Sequence, residues 1–285
     1  MQQVLEVSER RVCGATGWGR SSLRYQVRSS TEERRLVERM RALGQAHPRF
    51  GYRRVWALLR AEGWQVNRKR IRRLWRAHGL KVPQKQRKKR RLGGSANGAT
   101  RRRAERPNHV WSYDFVEDQT ADGRKLKLLP ILDEFTRECL TIEVERNLTA
   151  REVVDTLRYL FELRGAPALL RSDNGPEFIA QAVRAWLKQS GVETLYIAPG
   201  SPWENAYSES FNSRLRDEWL NREVFETLAE AKVITEDYRL DYNHRRPHSA
   251  LGYRTPAAYA EACAVAATGP REPAGVSRTP QALLS

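Results

Sequence analysis

Apolar positions along this chain follow two different periods. Between residues 31 and 82 they recur at helical spacing. From residue 108 onward, short apolar runs of strand length alternate with helical stretches. In the first region Leu36, Met40 and Leu43 mark one face of a helix predicted over residues 31 to about 45. His47-Pro48-Arg49-Phe50-Gly51 breaks it. A second helix is predicted over residues 52–61, with Val55, Trp56 and Leu59 inward, and Glu62-Gly63 stops it. Asn67 is placed to cap a third, whose inward residues are Ile71, Leu74 and Trp75.

The second region opens with three strand-like runs, over residues 110–115, 126–132 and 138–145, with a turn at Asp133-Glu134-Phe135-Thr136-Arg137. Thr149-Ala150-Arg151-Glu152 has the capping-box form and starts a helix burying Val153, Leu157, Leu160 and Phe161; Gly165 and Pro167 close it. A strand (168–172), a helix (176–190) and a strand (192–197) follow. Ser201-Pro202-Trp203-Glu204 is a second capping box, with Pro at the first helical position. In the helix it opens, Tyr207, Phe211, Leu215 and Trp219 make one apolar stripe, while Asn205, Glu209, Asn212, Ser213 and Arg216 fall on another face. Thr227-Leu228-Ala229-Glu230 caps one more helix, to about residue 242.

Composition adds limits. A 285-residue chain with 40% apolar residues and 8 Trp can bury the core of one or two domains. No apolar run approaches the roughly 18 residues of a membrane span, and no signal-peptide block is present at the start. The expectation is a cytoplasmic protein with no membrane partner. Cys13, Cys139 and Cys263 lie far apart and read as reduced thiols; the five His form no zinc pattern with them.

Charge divides the chain more sharply. The first 108 residues hold 30 Lys and Arg against 7 Asp and Glu, and the rest 21 against 27, so the two parts carry net +23 and −6. That asymmetry predicts nucleic acid at the front and another task behind. Arg68, Lys69, Arg70, Arg72, Arg73 and Arg76 crowd the outer faces of the third helix without an acid among them. This suits a helix-turn-helix with its last helix in the major groove, against the alternative of a solvated basic face. Residues 83–107 form a linker holding Arg87, Lys88, Lys89, Arg90 and Arg91; it either touches DNA phosphates or is a solvated tether.

Three acids carry the candidate chemistry. Asp114 sits near the end of the first strand, Asp173 closes Ala168-Leu169-Leu170-Arg171-Ser172 before the turn pair Asn174-Gly175, and Glu209 lies on the later helix, with 35 residues between it and Asp173. Strand-end acids point from a sheet edge, and three carboxylates can hold two hard cations that clamp the oxygens of a phosphoryl displacement. Asp133 and Glu177 are competing acids; Asp133 sits in a turn, where Asp is common for its own sake.

The stretches Trp-Ser-Tyr-Asp-Phe (111–115), Ser-Asp-Asn-Gly-Pro-Glu-Phe (172–178), Pro-Gly-Ser-Pro-Trp-Glu-Asn-Ala-Tyr-Ser-Glu-Ser-Phe (199–211) and Tyr-Asn-His-Arg-Arg-Pro-His (242–248) resemble the DDE transposase and integrase superfamily. More narrowly they resemble the second-reading-frame (OrfB-type) product of frameshifting bacterial insertion sequences, over roughly residues 31–260. Ala206 stands where Gly is expected in many relatives. The resemblance implies an α/β fold: a ribonuclease-H-like (retroviral integrase-like) core with a mixed five-stranded sheet, order βββαβαβα, behind a small all-α helix-turn-helix domain. It implies Asp114, Asp173 and Glu209 as catalytic metal ligands for two Mg2+ ions, with Mn2+ able to substitute. Asn174, Glu177 and Asn205 would support those ligands. The implied partners are double-stranded DNA, both element ends and target, a second copy of the chain on DNA, and an upstream-frame protein as fusion or partner. The implied location is the bacterial cytoplasm, at the nucleoid. A DNA-binding regulator and a structure-selective nuclease on the same fold are the alternatives.

The expected organisation is an arm (1–30, two short helices or partly ordered), a DNA-binding domain (31–82), the linker (83–107), a core with a helical extension (108–262) and a disordered tail (263–285). Asn243-His244-Arg245-Arg246-Pro247-His248 either contacts DNA or packs under the core.

Overall fold

A computed structural model describes residues 8–21, 31–82, 103–172, 181–196 and 206–268. Helix α1 (Glu9–Thr16) buries none of its residues and closes on Gly17, whose φ of 69° favours a residue without a side chain. Helices α2 (Thr31–Ala46), α3 (Tyr52–Ala61) and α4 (Arg68–Ala77) form a three-helix unit. Leu36, Met40, Val55, Leu59, Ile71 and Leu74 make its core. Asn67 caps α4: its side chain accepts from the Arg70 N–H at 2.7 Å.

The second unit is a mixed sheet between two helical layers. Its strands are β1 (Val110–Tyr113), β2 (Val116–Gln119), β3 (Lys125–Asp133), β4 (Cys139–Glu145), β5 (Leu169–Ser172) and β6 (Glu193–Tyr196). The order is β2-β3-β1-β5-β6, with β4 also on β3; β1, β5 and β6 are mutually parallel and the others antiparallel. Six strand segments therefore stand where five strands were expected.

The extra strand is the second half of the first one. Trp111 faces Asp133 and Val116 faces Leu128, which is a single register running from β1 into β2. Glu134 donates its N–H to Val110 O, and Thr120 donates its own to Arg124 O. Even-numbered positions of β3 thus turn their backbone groups toward β1 and β2. Pro130 falls in that series, opposite Asp114, and has no N–H to give to the Asp114 carbonyl. The ladder opens at the acid and resumes beyond it.

Strand alternation sorts the side chains onto two faces. Trp111, Tyr113, Leu129, Ile131 and Leu170 pack on α5 (Ala150–Arg164) and α6 (Gln181–Gln189). Val116, Leu126, Leu128 and Leu132 pack on α7 (Ala206–Leu215) and α8 (Leu228–His244). The Thr149–Glu152 capping box and the Thr227 cap both form. A π-turn (Arg216–Leu220) continues α7, with Asn221 donating to Arg216 O five residues back. A strict four-residue stripe drifts about 40° per step on an α-helix. The wider turn offsets that drift and brings Trp219 against Tyr238.

Asn243 and Arg246 pack beneath the core. The Asn243 amide accepts from Cys139 N (2.9 Å) and donates to Cys139 O (2.8 Å), filling the backbone sites at the start of β4. Helix α9 (Pro256–Thr268) runs past the expected boundary at residue 262. The tail beyond Thr268 lies outside the described residues, as does the capping box at Ser201–Glu204.

Candidate active site

Asp114 follows the last residue of β1 and is half-buried. By alternation it shares a face with Ser112, away from Trp111 and Tyr113 and toward α7. There Asn212 Nδ2 donates to Asp114 Oδ2 at 3.0 Å. Glu209 is exposed on α7, one turn before Asn212, so their Cβ atoms lie roughly 5–6 Å apart. The helix that carries one acid thus holds the other by its amide. Arg216 Nη2, on the same side of the helix, donates to Glu117 O (2.7 Å) and ties the end of α7 to β2.

Charge behind the site is already matched. Arg171, two residues before Asp173, forms a buried pair with Glu134 at 2.9 Å. Asp133, the competing acid, is committed to the chain: its oxygens accept from the N–H groups of Phe135 (2.7 Å), Thr136 (3.0 Å) and Asn108 (2.7 Å). That arrangement is a turn-stabilising Asp, not an open ligand. Asp173, Asn174, Glu177 and Asn205 lie outside the described residues. Among the described residues no cluster of three metal-ligating side chains occurs.

The basic helix is less uniform than its sequence. Arg73 bonds Glu33 at 3.1 Å, and Arg70 reaches Glu33 and Glu32 at 3.5 and 3.6 Å. Arg68, Lys69, Arg72 and Arg76 remain exposed, with no acid partner among the described residues. These four are the cations of α4 left available to phosphates. Arg87, Lys88, Lys89, Arg90 and Arg91 lie outside the described residues.

Sequence reasoning missed how the three-helix unit docks. Arg49 pairs with Asp217 in the π-turn. Arg54 Nη1 reaches Glu218 Oε1 at 3.1 Å, and the same carboxylate takes Arg246 in a fork, at 2.7 and 2.6 Å. Trp56 meets Tyr253 edge-on, with centroids 5.7 Å apart. Arg246 is buried, so the 243–248 segment supplies an interior latch, while His244 and Arg245 stay exposed. These pairings span 28 and 164 positions, beyond the reach of local periodicity.

Comparison with known proteins places this geometry. Family models described as "Integrase core domain" match residues 104–202 and 190–256, and one described as "HTH-like domain" matches residues 31–89. An uncharacterized 31.7 kDa protein of insertion element IS407 from Burkholderia multivorans is 40% identical over 260 residues, covering 91% of this chain and 93% of that one. Transposase InsD of insertion element IS2 from Escherichia coli is 30% identical over 226 residues, covering 74% and 73%. Among solved structures, a chain of the simian T-cell lymphotropic virus intasome aligns with a TM-score of 0.49 at 16% identity, covering 78% of this chain and 74% of that one. With an integrase core behind a helix-turn-helix-like unit, and this identity over nearly its whole length, the chain belongs to the transposases of bacterial insertion elements.

Proposed function

We propose that Asp114, Asp173 and Glu209 together carry the strand cleavage and strand transfer of this transposase. The observation that carries the reading is the β1–β5 register. Val110 faces Leu169 and Ser112 faces Arg171, an offset of 59. If that offset continued by two residues, position 173 would come opposite Asp114. Asn212 supplies the third link, because it holds Asp114 from the helix that carries Glu209.

The donor set suits a hard cation. Carboxylates offer charged oxygens, and one Asp114 oxygen is fixed by an amide while the side chain stays half-open. Asp114, Asp173 and Glu209 would hold two Mg2+ ions, with Mn2+ as a substitute. Such ions, when bound, supply Lewis acidity to the attacking and leaving oxygens. The chain's own part is geometric. β1 holds Asp114 at its end and Asn212 keeps it from rotating, while β5 ends at Ser172, the residue before Asp173. The basic face of α4 and the linker hold the DNA, both element ends and target, with two copies of the chain serving two ends. An upstream-frame protein is the proposed fusion or partner.

The test is strand cleavage and gel-shift on Asp114→Asn, Asp173→Asn and Glu209→Gln, with magnesium and with chelator. Each variant is expected to lose on the order of a thousandfold in rate, about 4 kcal/mol at 1.4 kcal/mol per decade. The losses should not add, since the acids act as one unit. End-DNA affinity should be kept. Near-normal cleavage by Glu209→Gln would sink the assignment.

A further inference from the structure

Helix α7 crosses the sheet along a line that two contacts define. Asn212 meets Asp114, and one turn later Arg216 meets Glu117 O, so the helix runs in the direction of β1 and β2. One helical turn and two strand residues cover similar lengths, about 6 Å and about 6.6 Å. If the line is carried one turn back, Ser208, four residues before Asn212, comes over Ser112, two residues before Asp114. Burial agrees with that placement. Ser112 is fully enclosed on the Asp114 face of β1, and Ser208 is 1% exposed on the same side of α7 as Phe211 and Leu215.

Neither hydroxyl has a use in the structure. Ser112 Oγ and Ser208 Oγ are sealed from solvent and make no hydrogen bond among the described residues. A buried hydroxyl with nothing to bond is unfavourable, so the two serines add no bond to the contact. What they add is small size. Asn212 and Asp114 span the gap between helix and strand with two longer side chains and a 3.0 Å bond. One turn earlier, two short side chains close the gap well enough to exclude solvent. A gap closed by less side chain is a narrower gap.

We propose that Ser112 and Ser208 form a close seam that leans α7 toward β1 at the end carrying Glu209. Ser208 is then a positioning residue. Its size sets how near the next residue, Glu209, comes to Asp114. The inference rests on the reading of those two acids as metal ligands, and adds to it the element that fixes their separation.

The first test needs neither metal nor DNA. In the full chain carrying Ser112→Cys with Ser208→Cys, mild oxidation should join the two positions. A disulfide needs Cα atoms roughly 4.4–6.8 Å apart, which the leaning helix provides. Peptide mapping by mass spectrometry reads the link, and its absence would overturn the pairing. The second test is size. Ser208→Ala should cleave element-end DNA like the parent and melt no lower. Ser208→Thr and Ser208→Val each add one methyl group, and both should lose about 100-fold in rate, the cost of misplacing a reacting group by about 1 Å. Their magnesium midpoint should rise while duplex affinity is kept. If Ser208→Val also lowers the melting temperature, Ser112→Val gives the same readout from a strand, where a β-branched residue is favoured. A loss in Ser208→Ala equal to that in Ser208→Val would assign the effect to the hydroxyl and overturn the proposal. So would parental cleavage by both Val variants. Failure of the acid assignment looks different: Glu209→Gln would cleave normally while the cysteine link still forms.

Discussion

Removing the Glu218 charge should unseat both units at once. Its side chain is 12% exposed and that of Arg246 only 2%, and the two form a fork at 2.6–2.7 Å; Arg54 adds a third contact at 3.1 Å. Glu218→Gln keeps the shape but strands a buried guanidinium. Breaking a buried pair from one side costs about 3–5 kcal/mol. At about 2–4 °C per kcal/mol for a domain of this size, melting should fall on the order of 10 °C. The loss should persist at about 1 M salt, because buried pairs are screened little. Glu218→Met with Arg246→Met should recover part of it, because Arg54 still lacks its carboxylate. The pH dependence has a definite sign. Burial raises the Glu218 carboxyl, but Arg246, Arg54 and Arg214 outweigh it and hold it below its ordinary 4.5. The latch is therefore complete above pH 4.5 and is lost as pH falls through the depressed folded value. Calorimetry on the single and double variants checks this. A Glu218→Gln protein within about 1 kcal/mol of the parent would refute the reasoning.

Other outcomes follow from the same geometry. Asn212→Ala should reduce metal affinity and cleavage about 10–100-fold with DNA binding kept, read by magnesium titration of the cleavage rate. His248 is held neutral while the unfolded chain takes a proton below pH 6.5. Its contribution should therefore erode stability by about 1.4 kcal/mol per pH unit below 6.5, and melts of His248→Gln should show a shallower acid limb. Arg68→Gln and Arg72→Gln should each lower the salt slope of duplex binding by about 0.9, whereas Arg73→Gln, already paired with Glu33, should change it less. Asn243→Leu leaves both backbone groups of Cys139 without their amide partner and should cost about 2–4 kcal/mol in thermal melts.

Much of the fold was legible because its signals are local. The three front helices, the Asn67 cap and the Thr149 box depend on residues within a turn of one another, and the strand runs on short stretches in which apolar residues cluster or alternate. The position of Asp114 at a strand end and of Glu209 opposite the apolar stripe was equally local. What stayed hidden is non-local. The role of Asn212 needs a partner 98 positions away. The Pro130 gap needs the β1–β3 register, although a proline inside a strand run was itself a readable warning. The latch joins Arg54, Glu218 and Arg246 across units, and no periodicity marks a residue as the far end of such a contact. Arg70 and Arg73 looked like their neighbours on α4 until the acids of α2 came alongside.

The two working faces of α7, one on the sheet and one toward Asp114, limit what insertion or deletion can do to this chain. Adding one residue inside Ala206–Leu215 turns everything beyond it by about 100°. Placed before Phe211, it would move Phe211 and Leu215 off the sheet and Asn212 away from Asp114 in one event. Adding a whole turn would restore the phase but slide the π-turn about 5.4 Å along the axis, away from Arg49 and Arg54. The helix is thus fixed in phase by the sheet and in length by the front unit, so its residue count is held as tightly as the side chains that face the sheet and Asp114.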